Sequence, residues 1–171
     1  IRLAGCDIHC PWCDAKNTWN ATKFPVVPIG EIVAGVLNAA APAVVITGGE
    51  PFKYPLGPLT KLLKENRIRI YVETSGSEPL SGRIDWICIS PKRRAAPLKE
   101  NLKVANELKV VVSLPCDFLW AEENAAMVGN DCLIYLQPEW GRMGEIMPLI
   151  VNYVKEHPQW RVSLQTHKFM D

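Results

Sequence analysis

Short apolar runs alternate along this chain with longer stretches in which apolar side chains recur every three or four positions. Residues 1–5 read as a strand, and 43–47 as a buried strand stopped by Gly48 and Gly49. Further strands are expected over 68–73, 84–90, 108–112, 132–136 and 161–165. Helical spacing falls at 30–40, through Ile32, Val33, Val36 and Leu37, and again at 59–65, 98–106, 118–128 and 143–156. The segment 14–28, with Asn17, Asn20 and two prolines, reads as irregular. No long helix is expected between the strands at 68–73 and 84–90.

Strand alternating with helix predicts a parallel sheet with right-handed crossovers. Seven strands and five helices are too few for a closed eight-unit barrel, which takes about 250 residues. At 171 residues the expected fold is α/β, an open, partial β/α barrel in one domain over 1–171, with a doubly wound sheet as the alternative. Ile1 already lies inside a strand, so further residues of the natural chain are expected upstream, and a targeting signal there stays open.

Polar or glycine-rich motifs recur just past the carboxyl ends of the expected strands. Cysteines follow the first, Gly48-Gly-Glu-Pro51 the second, Glu73-Thr-Ser-Gly76 the third, Ser90-Pro-Lys92 the fourth, Gln137-Pro-Glu-Trp140 the sixth and Gln165-Thr-His-Lys168 the last. In parallel α/β architectures that rim is where sites are built. Turn chemistry explains the glycines and prolines but not the repeated acid, hydroxyl and lysine choices.

Composition narrows the class without choosing the chemistry. Hydrophobic residues at 48% and charged residues at 22% describe an ordinary globular protein. A net charge of +1 gives no electrostatic case for nucleic acid or an anionic membrane surface. No apolar run approaches the ~20 residues of a membrane span. Of the six cysteines, Cys88, Cys116 and Cys132 are scattered among apolar neighbours, and Cys88 and Cys132 read as buried strand residues. Clustering of the other three argues against a disulfide framework and for a reduced, cytoplasmic protein.

Those three are Cys6, Cys10 and Cys13, a C-x3-C-x2-C run within eight residues. Sulfur ligands at this density point to an iron–sulfur cluster or to zinc. Structural zinc wants a fourth protein ligand, and His9, inside the same loop, is awkwardly placed to supply it. A cluster held by three cysteines would keep one metal open for a ligand.

The cysteine run, with Gly-Gly-Glu-Pro after the next strand, resembles the radical S-adenosylmethionine (SAM) superfamily. There three cysteines hold a [4Fe-4S] cluster whose fourth iron binds SAM, and one-electron reduction yields a 5′-deoxyadenosyl radical. The resemblance goes further: Arg2-Leu-Ala-Gly-Cys6, Cys13-Asp14, Thr18-Trp19, Ile46–Pro51, Glu73–Gly76, Ser90–Lys92, Glu107–Val110, Leu136–Pro138 and Ser163–Lys168 look like the 7-carboxy-7-deazaguanine synthase family over nearly the whole chain. This resemblance implies a reduced radical-SAM barrel, usually a homodimer, working with an electron donor such as flavodoxin or ferredoxin. It implies conversion of 6-carboxy-5,6,7,8-tetrahydropterin to 7-carboxy-7-deazaguanine with loss of ammonia, on the route to queuosine. SAM acts catalytically in the family and Mg2+ assists.

Carried over by motif, Cys6, Cys10 and Cys13 would hold the cluster. Trp12, Asp14, Gly49, Glu50, Ser75, Ser90, Pro91, Lys92, Gln137, Pro138, Glu139 and Trp140 would form the SAM site, and Arg2 and Thr47 would meet the pterin. A guanidinium fork suits a carboxylated substrate; Glu50 would offer a carboxylate to an ammonium group. Lys109 is expected to pair at the surface, His157 to be superficial, and His167 to be either an acid–base group or a structural donor. Three departures stand out. Ala15 occupies the position of the family's magnesium-ligating threonine, so either Asp14, Thr18 or water takes over or the magnesium dependence is altered. The family's upstream Gln-Gly-Glu-Gly substrate motif would precede Ile1, and the family usually ends a few residues past His-Lys on a carboxylate that helps to hold substrate, whereas this sequence stops at Asp171 and a lost natural terminus stays open. Two other readings remain: a glycyl-radical-enzyme activase, which shares the cysteine spacing, and a zinc-stabilised binding module.

Overall fold

The computed structural model describes residues 1–170. Seven strands form one sheet: β1 (Arg2–Leu3), β2 (Ala43–Gly48), β3 (Arg69–Thr74), β4 (Trp86–Ile89), β5 (Glu107–Val112), β6 (Leu133–Pro138) and β7 (Trp160–Val162). Every strand pairs in parallel with the next one in sequence, so the spatial order is simply β1 to β7. A doubly wound sheet reverses direction at a switch point; this one does not, and β1 and β7 are left as separate edges. The sheet is an open section of a barrel, as the strand count implied.

Five helices connect the strands: α1 (Ile29–Asn38), α2 (Gly57–Glu65), α3 (Lys99–Lys103), α4 (Asp117–Ala125) and α5 (Met143–Glu156). Strand alternation decides which side they cover. Val44, Ile46, Ile70, Val72, Leu108 and Val110 are buried beneath the helices. Residues of opposite parity, Thr47, Glu73, Lys109 and Val111, face the concave side and line its cavity. The core has two parts, one gathering Val36, Leu59 and Leu63 onto β2 and β3, the other Leu102, Ile146, Ile150 and Trp160 onto β4 to β7. Each fully buried aliphatic side chain there contributes about 1.5–3 kcal/mol.

Several expected elements are shorter than the apolar pattern suggested, β1 among them, and in three a tertiary partner sets the end. The helix expected to reach residue 106 stops at Lys103, because Asn106 exchanges two hydrogen bonds with the backbone of Ile87, at 3.0 and 2.8 Å, and belongs to the approach to β5. The strand expected from residue 84 begins at Trp86, since the Asp85 carboxylate takes the Ile70 amide at 2.7 Å. The last strand ends at Val162; one more bond, Ser163 N–H to Leu136 O at 2.9 Å, precedes a 3-10 turn at Thr166–Phe169. As expected, no helix joins β3 to β4. Among the described residues no helix is long and apolar enough to cross a membrane. Asp171, on which the reading of the terminus turned, lies outside the described residues.

Candidate active site

The cysteine loop leaves β1 and is pinned on both flanks by backbone bonds, Gly5 N–H to Thr18 O at 2.6 Å and Cys6 N–H to Trp19 O at 3.0 Å. Inside it, Cys13 N–H closes a turn onto Cys10 O at 3.0 Å, and His9, at φ +50°, stacks on Trp19 with ring centres 4.5 Å apart. His9 is therefore packed against an aromatic face rather than aimed inward with the thiols. Tyr54 donates to Ala4 O at 2.7 Å, Lys53 pairs with Asp7, and Arg94 donates to His9 O at 3.2 Å. The end of β2 must be glycine for this loop to pass. A Cβ on Gly48, at φ +130°, would lie 2.0 Å from Leu3 O, and one on Gly49 would lie 2.2 Å from Gly5 O.

Together these elements enclose a cavity of about 770 Å³ at the carboxyl rim of the strands, large enough for cofactor and substrate together. Its lining contains Arg2, Cys6, Cys10, Trp12, Cys13, Asp14, Thr47, Gly49, Glu50, Ser75, Ser90, Lys92, Gln137, Glu139 and Trp140, and also Ala15 and Thr18. Two expected residues stand apart. Pro91 borders a neighbouring 200 Å³ pocket with Trp120 and Arg93, and Pro138 is buried at the end of β6.

Glu50 also departs from expectation. It is 2% exposed, and both oxygens are occupied: Oε1 accepts from Thr74 Oγ1 at 2.6 Å and Phe52 N at 3.2 Å, Oε2 from Ser75 N at 2.9 Å and Ser75 Oγ at 2.6 Å. A carboxylate so satisfied acts chiefly by fixing Ser75 at the cavity wall. Glu139 similarly caps its own turn through Gly141 N–H at 2.8 Å. Lys92 donates to Ser90 O at 2.5 Å and Ser90 Oγ at 2.7 Å and lies 5.4 Å from the Trp12 ring centre. Burial lowers the Lys92 pKa, with Cys10 the main opposing influence. Burial raises that of the Cys10 thiol, and Lys92 pulls it back.

Lys109 lies inside the barrel rather than at the surface. Its side chain is 16% exposed and its Nζ donates to Glu73 Oε1 at 3.1 Å on the cavity floor. Burial alone would lower its pKa, but Cys88, Glu73 and Glu107 outweigh that and hold the ammonium charged. Strand parity is the signal that could have found Lys109, since 109 alternates with the buried 108 and 110. His167 and Gln165 place their Nε2 atoms 3.3 Å from Asp14 Oδ2. His157 stacks on Tyr153 with centres 4.0 Å apart, outside the cavity.

Residues 1–110 match the family model described as the Radical SAM superfamily. Over 171 residues the chain is 43% identical to the 7-carboxy-7-deazaguanine synthase of Flavobacterium psychrophilum, covering 100% of this chain and 81% of that protein. It is 46% identical to the enzyme of the same name from Synechocystis over 170 residues, 99% of this chain and 81% of that protein. The chain belongs to the 7-carboxy-7-deazaguanine synthase family. A solved member, QueE from Escherichia coli, superposes with a TM-score of 0.84 at 31% identity, covering 96% of this chain and 83% of that one. Full-length kinship with deazaguanine synthases sets aside both the activase and the zinc-module readings.

The residues of this family member suit a [4Fe-4S] cluster with SAM. Three free thiols border one cavity from one short loop. Among the described residues no three His, Cys, Asp or Glu side chains converge as a single ion would require. A cluster spreads its thiolates over several irons, whereas zinc draws its ligands to about 2.0–2.3 Å of one point. Magnesium does not fit. Ala15 offers a methyl group, the buried Thr18 hydroxyl donates to Ala15 O at 2.8 Å, and Asp14 is met by two side-chain nitrogens.

Proposed function

We propose that this radical SAM lyase converts 6-carboxy-5,6,7,8-tetrahydropterin to 7-carboxy-7-deazaguanine with loss of ammonia, in queuosine and deazapurine biosynthesis. The overall change is redox-neutral, a ring contraction in which one nitrogen leaves as ammonia. The observation that carries the reading is a single cavity gathering the three thiols with Arg2, Thr47 and Glu73, in a chain related over its full length to deazaguanine synthases. When bound, the cluster and SAM supply one-electron chemistry that removes a hydrogen atom from substrate.

Binding and orientation fall to the chain's own residues. The Arg2 guanidinium, beside Thr47 in the β1–β2 register, anchors the substrate carboxylate as a bidentate partner. Glu73, held in place by Lys109, accepts from the N–H groups of the pterin's pyrimidine edge. Trp12 offers a flat apolar face to the adenine, while Ser75, Ser90, Lys92 and Gln137 give hydrogen-bonding groups to the polar parts of SAM. A flavodoxin or ferredoxin delivers the electron, the working unit is a homodimer, and the six free thiols suit the cytoplasm.

Anaerobic reconstitution followed by incubation with SAM, reductant and the pterin tests the reading. Mass spectrometry is expected to find 7-carboxy-7-deazaguanine; the absence of both that product and 5′-deoxyadenosine would overturn it. Arg2→Ala is expected to spare SAM cleavage and lose product, and normal product formation would remove Arg2 from the anchor role.

A further inference from the structure

The poor fit to magnesium has a structural counterpart at the cavity mouth. Mg2+ takes near-octahedral oxygen ligands at about 2.0–2.1 Å and is usually held by one or two carboxylates together with substrate and water. Here the carboxylate beside Ala15, that of Asp14, has two side-chain nitrogens directed at its Oδ2, Gln165 Nε2 and His167 Nε2, each 3.3 Å away. The neighbouring hydroxyl, Thr18 Oγ1, is 2% exposed and committed to Ala15 O. These contacts join the cysteine loop to the turn Thr166–Phe169 across a separation of 151 residues. The same turn is fastened to the rim beyond β6, where Phe169 meets Trp140 edge-on at 5.3 Å and Lys168 lies 6.0 Å over that ring.

We propose that this clasp of Asp14 with Gln165 and His167 takes the place of a divalent cation in closing the cavity mouth, so that turnover here is independent of magnesium. A cation bridges by sharing oxygen ligands between protein and substrate. The clasp instead joins two segments of the chain directly and leaves the substrate carboxylate to Arg2. Ala15 then needs no hydroxyl, since nothing at that position has to ligate.

The proposal rests on the reaction assigned above, and three measurements on the reconstituted holoenzyme separate the two. Mn2+ serves as the probe ion. With SAM-loaded, chelator-treated enzyme, its free electron paramagnetic resonance signal is expected to stay undiminished, with and without pterin. One tightly bound Mn2+ per chain overturns the proposal whether or not product forms. Product formation with and without added Mg2+ is expected to agree within about twofold, and a tenfold or larger stimulation overturns it. Absence of product under both conditions counts against the assigned reaction, and the Mn2+ signal then decides the clasp alone. Finally, Gln165→Ala with His167→Ala, in cation-free enzyme, is expected to raise amide hydrogen exchange over residues 13–19 by about fivefold or more. Unchanged exchange there would show that the clasp holds nothing.

Discussion

Glu50→Gln isolates one of the tightest polar arrangements in the molecule. The change preserves shape while removing the charge and one acceptor. Oε1 receives a hydroxyl and a backbone amide, from Thr74 and Phe52; Oε2 receives the hydroxyl and the amide of Ser75. A hydroxyl can turn and accept from the new NH2 group, but a backbone N–H cannot. Whichever way the amide lies, either Phe52 N–H or Ser75 N–H is left facing a donor. A buried donor without an acceptor costs about 1–3 kcal/mol, and the remaining bonds fall to roughly half their charge-assisted strength. The expected loss is about 2–4 kcal/mol, and a domain of this size loses about 2–4 °C in Tm per kcal/mol, giving a fall of roughly 4–16 °C. Thermal unfolding of the apoprotein by near-ultraviolet circular dichroism measures it free of cluster loading. Glu139→Gln is the control, because its cap to Gly141 uses one oxygen that glutamine keeps. A Glu50→Gln midpoint within about 2 °C of wild type, or equal to the control, would refute this account of Glu50.

Other expectations follow from the same geometry. Asp117 accepts from Ser113 N–H and Leu114 N–H, each at 2.9 Å, and from Arg93 at 2.8 Å. Burial would raise its pKa, but these partners outweigh that and depress it. A depressed carboxyl stabilises above its unfolded pKa, near 3.9, and the benefit is lost as pH falls through the lower folded value. The urea-midpoint gap between wild type and Asp117→Asn should therefore be full at pH 7 and shrink below about pH 4; a gap constant with pH refutes this. Gly49→Ala pushes a methyl into Gly5 O, so iron per chain after reconstitution should fall below about half of wild type while the far-ultraviolet spectrum persists. Lys109→Ala frees Glu73 and should raise KM for the pterin about tenfold, with KM for SAM moving less than about twofold. Equal changes in both constants would place Lys109 elsewhere in the mechanism.

The number of strands, the number of helices and the rim location of the chemistry were legible because each rests on periodicity or on local turn residues. Val44, Ile46, Ile70 and Val72 report their side of the sheet through simple alternation. Element ends were less legible, because tertiary partners set them: Asn106 leaves the helix pattern for Ile87, and Asp85 replaces a backbone acceptor for Ile70. Lys109 shows a different failure. A lysine in an apolar strand suggests a solvated edge, yet its parity directs it into the barrel, where Glu73 waits on the neighbouring side of the floor. Glu50 was found by motif, but that its carboxylate is consumed by four protein donors depends on Thr74 and Ser75, a strand away. The Asp14 contacts with Gln165 and His167 bridge nearly the full chain and leave no trace in local pattern.

The sequential strand order has a consequence for how the molecule assembles. Each strand is laid beside its immediate predecessor, so the sheet can grow by a series of short-range closures, each with a modest entropic cost. The mouth cannot grow that way: Asp14 must wait for Gln165, 151 positions later. Sheet and mouth are thus separated in time as well as in space. A nascent chain emerging from the ribosome can bury most of its core while its cysteine loop still lacks the roof that Gln165 and His167 complete.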